Sequence, residues 1–262
     1  LSYFSLMQAY VFKDVDGAIA TSEYALRAQC EFSEPEYLPR ALNAVNAHIR
    51  HFWQPLTNSL AGFDRATELA MEAGDIYYTG QSIIFALFAQ FVSGQPLLKM
   101  NEFMNRHIAR LSDYGLISCR DAIFPWCQII VNLQNTNEIY LNSTHVVHLK
   151  GRYFNDRLMF QLEKSENEFM VFSAYTAKAW YSFCLKDIDC ALSALSKAEE
   201  YSSQMHGMMH FHIFYSLAGQ VYASAARRYE HHGDFYLSKA KIYLDLIESL
   251  ATQNPDNYLH KL

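Results

Sequence analysis

Three histidines offer the sharpest chemistry in this sequence. His206 and His210 stand four residues apart, which on a helix puts both imidazoles on one face, and His212 follows closely. Three imidazoles in one place could hold a transition metal. No carboxylate occurs between Gln204 and Glu230 to complete such a set. The neighbours Met205, Met208, Met209, Phe211 and Phe214 read instead as core filling, so no metal site is expected. His145 with His148 is a weaker pair of the same kind. His231 with His232 precedes Gly233, where the imidazoles would meet the last carbonyls of a helix.

The remaining nucleophiles and acids are equally sparse. Five cysteines (Cys30, Cys119, Cys127, Cys184 and Cys190) include no CxxC pair. Cys119 and Cys127 are too far apart along one helix to bond, whereas Cys184 and Cys190 straddle a turn. Buried, reduced thiols are expected, as in a cytoplasmic protein. Glu199 and Glu200 are adjacent, splay around a helix, and should be solvated. No phosphate-binding GxxxxGK[ST] loop, GxGxxG, HRD, HExxH or Gly-x-Ser-x-Gly motif is present. The expectation is a chain with no catalytic, cofactor-binding or metal residues.

The elements that carry these residues are helices almost throughout. Leu42, Val45, Ile49 and Phe52 step by three, four and three, and so do Tyr236, Ala240, Tyr243, Leu244, Ile247 and Leu250. The pattern predicts helices over 2–12, 16–31, 36–54, 59–73, 75–93, 96–114, 119–134, 137–149, 152–164, 167–185, 188–204, 207–231 and 234–253. They are separated by short breaks such as Gly74-Asp75, Gly94-Gln95-Pro96 and Gly233-Asp234. There Gly closes one helix and Asp caps the next, while Pro96 fits a first turn. Links this short make consecutive helices antiparallel neighbours.

Composition agrees. A hydrophobic fraction of 51% against 18% charged excludes a disordered chain, and eighteen Tyr and eighteen Phe accompany only six Pro. A net charge of −6 with scattered Lys and Arg gives no basic stripe for nucleic acid. The long uncharged stretch from Ile76 to Leu98 carries too many Tyr, Gln and Ser for a bilayer span and reads as a buried helix. The chain starts at Leu1, shows no signal peptide, and stops within an apolar-patterned run, which suggests an internal piece of a longer protein.

Two joints resemble each other. Phe12-Lys13-Asp14-Val15-Asp16-Gly17-Ala18-Ile19 parallels Leu185-Lys186-Asp187-Ile188-Asp189-Cys190-Ala191-Leu192. In each, a small residue two places after the second Asp lets the new helix pack closely, a device of tetratricopeptide repeats (TPRs). The expected fold is therefore all-α, a TPR-like α-α superhelix of about 12–13 helices in antiparallel hairpins. It would be one region over 1–262 or two subdomains, 1–134 and 152–262, joined by the Asn-rich irregular segment 135–151.

The stretch His48 to Val131 resembles the helical region of very large bacterial and fungal signalling proteins. The shared features are Trp53-x-Pro55, Ala70-x-x-Ala73-Gly74-Asp75-x-x-Tyr78 and Phe91-x-x-Gly94-x-Pro96-Leu97. Ala177 to Tyr201 and Gly233 to Leu246 follow the same order of hairpins. Asn254-Pro255-Asp256-Asn257-Tyr258 resembles the end of that region, and Asn135 to Phe169 matches none of it. In the family the region lies among a serine/threonine-kinase-like domain, a predicted ATPase, a GAF domain and a sensor histidine kinase. The resemblance implies a non-catalytic scaffold or sensory relay that contacts protein partners or adjacent domains. A second expectation is a ligand- or peptide-binding regulatory module with an aromatic, Met-rich lining.

Overall fold

The computed structural model describes residues 1–31, 36–134, 149–202, 207, 209 and 211–261, and all its regular elements are helical. In order they are α1 (Ser2–Tyr10), α2 (Val15–Glu31), α3 (Leu38–His48), α4 (Thr57–Glu72), α5 (Ile76–Val92), α6 (Leu97–Asp113) and α7 (Ile117–Gln134). Then follow α8 (Asp156–Lys164), α9 (Glu168–Cys184), α10 (Ile188–Glu200), α11 (Phe211–Arg228), α12 (Gly233–Gln253) and the short α13 (Pro255–Tyr258). Single 3-10 turns occur at Arg50–Phe52, Glu230–His232 and Leu259–Lys261. The helix expected over 137–149 lies almost wholly outside the described residues.

Each even-numbered helix through α12 pairs with a sequence neighbour, and each odd-numbered helix also packs on the next odd one: α1 on α3, then α5, α7, α9 and α11. A polar or aromatic contact, or in one case a close approach at glycine, marks each step of this inner row. Tyr10 of α1 donates its hydroxyl to the His48 carbonyl of α3 at 2.5 Å. The Asn43 amide of α3 donates to Ser82 of α5 at 3.0 Å. Gly80 of α5 lies so close to Cys119 of α7 that a Cβ there would sit 2.6 Å from the sulfur. Trp126 of α7 donates its indole N–H to Ser173 of α9 at 2.9 Å. Phe172 of α9 stacks on Phe211 of α11, with ring centres 4.8 Å apart. One continuous apolar cluster follows the row from Ala47 to Ala240.

Five of the joints share one device. Lys13, Gly74, Gly94, Gly115 and Lys186 all adopt left-handed backbone, with φ between 59° and 70°. Such a residue just past a helix lets the following N–H reach back to an otherwise unpaired carbonyl. Asp75 N–H bonds Ala70, Gln95 bonds Gln90, Leu116 bonds Leu111 and Asp187 bonds Ser182, at 2.8–3.0 Å. An Asp then caps the next helix where one is available. Asp14 accepts from Gly17 N–H at 2.9 Å, Asp75 from Tyr78 at 3.1 Å and Asp187 from Cys190 at 3.0 Å. The small residues of the paired joints, Ala18 and Ala191, are completely buried.

Several expected boundaries move. The helix over 36–54 stops at His48, because Pro55 has no N–H to offer the His51 carbonyl four residues back. Gly233 does not close a helix; it opens α12 in right-handed geometry after the 3-10 turn, and no side chain caps that end. Pro96 stands one place outside its helix as the cap residue. Residues 152–155 are not helical: Gln128 of α7 accepts the N–H groups of Tyr153 and Phe154 at 2.8 and 3.3 Å, and α8 begins only after Asn155 caps it. Of the expected helix over 207–231, Gly207 and Met209 are turn residues, with Gly207 at φ +97°. The buried reading of 76–98 holds for α5, and among the described residues no helix is long and apolar enough to cross a membrane.

Lysine is strained in the left-handed region by about 1 kcal/mol where glycine is not. Lys186→Gly should therefore raise stability by about 0.5–1 kcal/mol in urea unfolding, whereas Asp187→Ala should lower it by about 1 kcal/mol through loss of the cap.

Candidate functional site

The polar centre of the molecule grows from two backbone carbonyls without helical donors. In a continuing helix the carbonyl of residue i accepts the N–H of residue i+4. Pro55 denies that donor to His51, and Val92 lacks one because α5 ends there, ahead of the left-handed Gly94. Both carbonyls are served by the C-terminal tail. The Asn254 side chain donates to the His51 and Gln54 carbonyls at 3.1 and 3.2 Å, and the Asn257 side chain donates to the same two at 2.9 and 2.7 Å. Asn257 also accepts the Leu56 N–H at 2.9 Å. Four residues later Lys261 points its ammonium at the Val92 carbonyl, 3.4 Å away.

His51 sits under this clasp with no solvent exposure. Its Nδ1 is 2.9 Å from the Tyr258 hydroxyl and its Nε2 is 3.2 Å from that of Tyr10. Tyr10 spends its own proton on the His48 carbonyl, so the Tyr10 oxygen must accept from Nε2–H of His51. Nδ1 is then the acceptor of the Tyr258 proton. The arrangement requires a neutral imidazole, and burial pushes the His51 pKa down to about 3, with His48 adding to the effect. His48 Nδ1 meets the Gly207 carbonyl at 2.9 Å, and Met209 N–H meets the Ala47 carbonyl at 3.0 Å. A side chain at Gly207 would strike the Tyr10 ring, whose atoms lie 2.8 Å from a Cβ there. The start of α11 is thereby fixed to the end of α3, and Leu250 of α12 packs in the small cluster of Ala9, Ala18, Ile49 and Phe52. The two ends of the inner row meet.

Beside the tail lie two adjoining cavities that share Ser216, Gln220 and Lys261. One, of about 220 Å³, has Phe91 of α5, Trp180 and Phe183 of α9, and Ile213 and Leu217 of α11 as walls. The other, of about 490 Å³, is lined by Tyr215 and Ala223 of α11 and by Leu237, Ala240, Leu244 and Ile247 of α12. Burial pushes the Lys261 pKa down to about 8. This is a concave, largely apolar site with few polar groups, the usual form of a small-molecule pocket.

Of the histidines weighed for metal chemistry, His206, His210, His145 and His148 lie outside the described residues. His212 is buried, with its ring 4.6 Å from His51 and 4.8 Å from Tyr258, so it belongs to the clasp. Met209, Phe211 and Phe214 are core residues as expected, while Met205 and Met208 lie outside the described residues. Among the described residues no group of three His, Cys, Asp or Glu is placed to hold a metal. His231 and His232 form the exposed turn ahead of α12, and the Gly233 they precede opens that helix rather than ending one.

Cys119, Cys127, Cys184 and Cys190 are free thiols; the Cys30 side chain lies outside the described residues. Cys127 is fully buried, which raises its pKa well above the usual range. Glu199 and Glu200 behave differently from each other. Glu200 pairs with Lys197 at the surface, but Glu199 is partly covered and accepts the Tyr243 hydroxyl at 2.5 Å and the Lys239 ammonium at 3.5 Å. Sequence reasoning missed this role of Glu199, the clasp and Lys261. The signal for the clasp was present, since Trp53-x-Pro55 and Asn254 to Tyr258 both stood out, but nothing local says that they meet.

No family model, curated protein or solved structure matches the chain.

The clasp predicts two outcomes. Asn257→Ala leaves the Leu56 N–H unpaired and weakens two carbonyl caps, and should cost about 2–3 kcal/mol in denaturant unfolding. The pH dependence follows from His51. Its folded pKa of about 3 lies below the ordinary 6.5, so the unfolded chain takes up the proton first on acidification. Its contribution is complete above pH 6.5 and is lost as pH falls from there toward 3, amounting to a few kcal/mol. A His51→Gln variant, less stable at neutral pH, should lose less over the same interval.

Proposed function

We propose that this chain is a non-catalytic helical-repeat region of the TPR-like kind, a scaffold and relay within a larger signalling protein. The observation that carries the reading is the recurring joint. Left-handed residues at Lys13, Gly74, Gly94, Gly115 and Lys186 follow α1, α4, α5, α6 and α9, and the inner row packs each odd helix on the next. Arrays built this way offer long surfaces and pass a displacement from repeat to repeat. The tail adds a link between the ends, so a shift of α11 and α12 pulls on the α3–α4 joint through Asn254 and Asn257. The resemblance of the segments around Trp53, Asp75 and Gly94 to the helical region of multidomain kinases supplies the signalling context.

A second reading, a ligand- or peptide-binding regulatory module, is favoured by the cavities beside Lys261 with their Trp, Phe and Tyr walls.

The scaffold reading predicts that the purified chain unfolds in one cooperative transition and turns over no ATP. In the full-length parent, Asn257→Ala should abolish the response of the output domain to its signal while leaving basal output in place. Robust ATP turnover by the purified chain, or an unchanged signal response in the variant, would contradict the reading.

A further inference from the structure

The paired cavities beside the tail have a feature that simple packing does not require. Lys261 stands where they meet, partly buried, with one long bond to the Val92 carbonyl. An ammonium has three N–H donors, and a single bond of 3.4 Å uses at most one of them. Among the described residues no carboxylate forms an ion pair with it. Burial without a counter-charge disfavours the cation, in keeping with its lowered pKa, and an anion placed there would reverse the effect. Ser216 and Gln220, one helical turn apart on α11, line both cavities and can add a hydroxyl and an amide to an anionic head.

The walls around that cation are of a different nature. On one side lie Phe91, Trp180 and Phe183, and on the other Leu237, Leu244 and Ile247. Leu237 and Leu244 are 55% and 41% exposed, so the protein itself leaves this apolar lining only partly covered. A partly buried cation with apolar walls on both sides is the complement of an amphipathic anion.

We propose that the paired cavities bind a small amphipathic anion, its carboxylate on Lys261 and its hydrocarbon body against the apolar walls of α11 and α12. This deepens the second reading above, on which it rests, and leaves the scaffold reading independent. Binding would join α5, α11, α12 and the tail at the site where the tail already serves the Pro96 joint. The ligand is thus placed to tighten the link between the ends of the array.

The test uses the whole chain with decanoate and decanol, followed by Trp fluorescence and calorimetry. Trp180 borders the smaller cavity and reports occupancy. Decanoate should bind saturably at one site, at least tenfold more tightly than decanol. Lys261→Met should abolish that preference while keeping decanol binding, and Lys261→Arg should restore it. Circular dichroism at matched conditions confirms that each variant is folded. Equal affinity for acid and alcohol in the wild-type chain, which needs no substitution, would overturn the proposal, as would an unaltered preference in folded Lys261→Met. A thermal-shift response to neutral or cationic compounds but not to decanoate would keep the pocket reading and sink the anionic head. No response to any compound would sink both.

Discussion

Two backbone carbonyls lack a helical donor: Pro55 has no N–H to offer His51, and α5 ends at Val92 with Gly94 in left-handed geometry. A buried carbonyl left unpaired costs about 1–3 kcal/mol, comparable to a sizeable part of a domain's net stability. The chain meets both needs from one segment, Asn254 to Lys261, some two hundred residues away from the first. The consequence is geometric. For the tail to reach the α3–α4 joint, the row of inner helices must curl until α11 lies against α3. Tyr10, His48, His51, His212 and Tyr258 are the side chains that fill the junction.

This closure distinguishes the molecule from an open array in which each repeat touches only its neighbours. In an open array a local disturbance decays along the row. Here the first and last parts share a buried hydrogen-bond network whose central imidazole must remain neutral, so neither end is free to move alone. One segment, Asn254 to Lys261, thereby contacts both the α3–α4 and the α5–α6 joints. The cavities beside Lys261 adjoin that segment.

Much of the local structure was legible in the sequence. Apolar stripes placed the cores of α4, α6 and α10, and punctuated ends bounded α5 and α9, which are buried on nearly every face. The paired joints at Lys13 and Lys186 share not only residue types but the same left-handed backbone, and their small residues Ala18 and Ala191 are the buried ones. What failed was set by partners distant in sequence. The helix over 36–54 broke because tail amides stabilise the broken form, and residues 152–155 stayed extended because Gln128 takes their N–H groups. Gly233 was misread since a glycine with φ of −52° is helical, and composition does not give φ. The clasp was half visible as two conspicuous motifs; their meeting is a property of the folded row alone. Lys261 and the partly buried Glu199 look like ordinary surface charges until the aromatic surroundings are known.

The central claim is that the tail couples the two ends of the array into one opening unit. Native-state hydrogen exchange measures this directly, by the free energies at which amides of α3 and α4 and of α11 and α12 become accessible. The account predicts a shared opening energy for these four helices, reduced in all of them together by Asn257→Ala. If the variant lowered protection only in residues 254–261 and left α3 and α11 at their original energies, the ends would be independent and the account would be wrong.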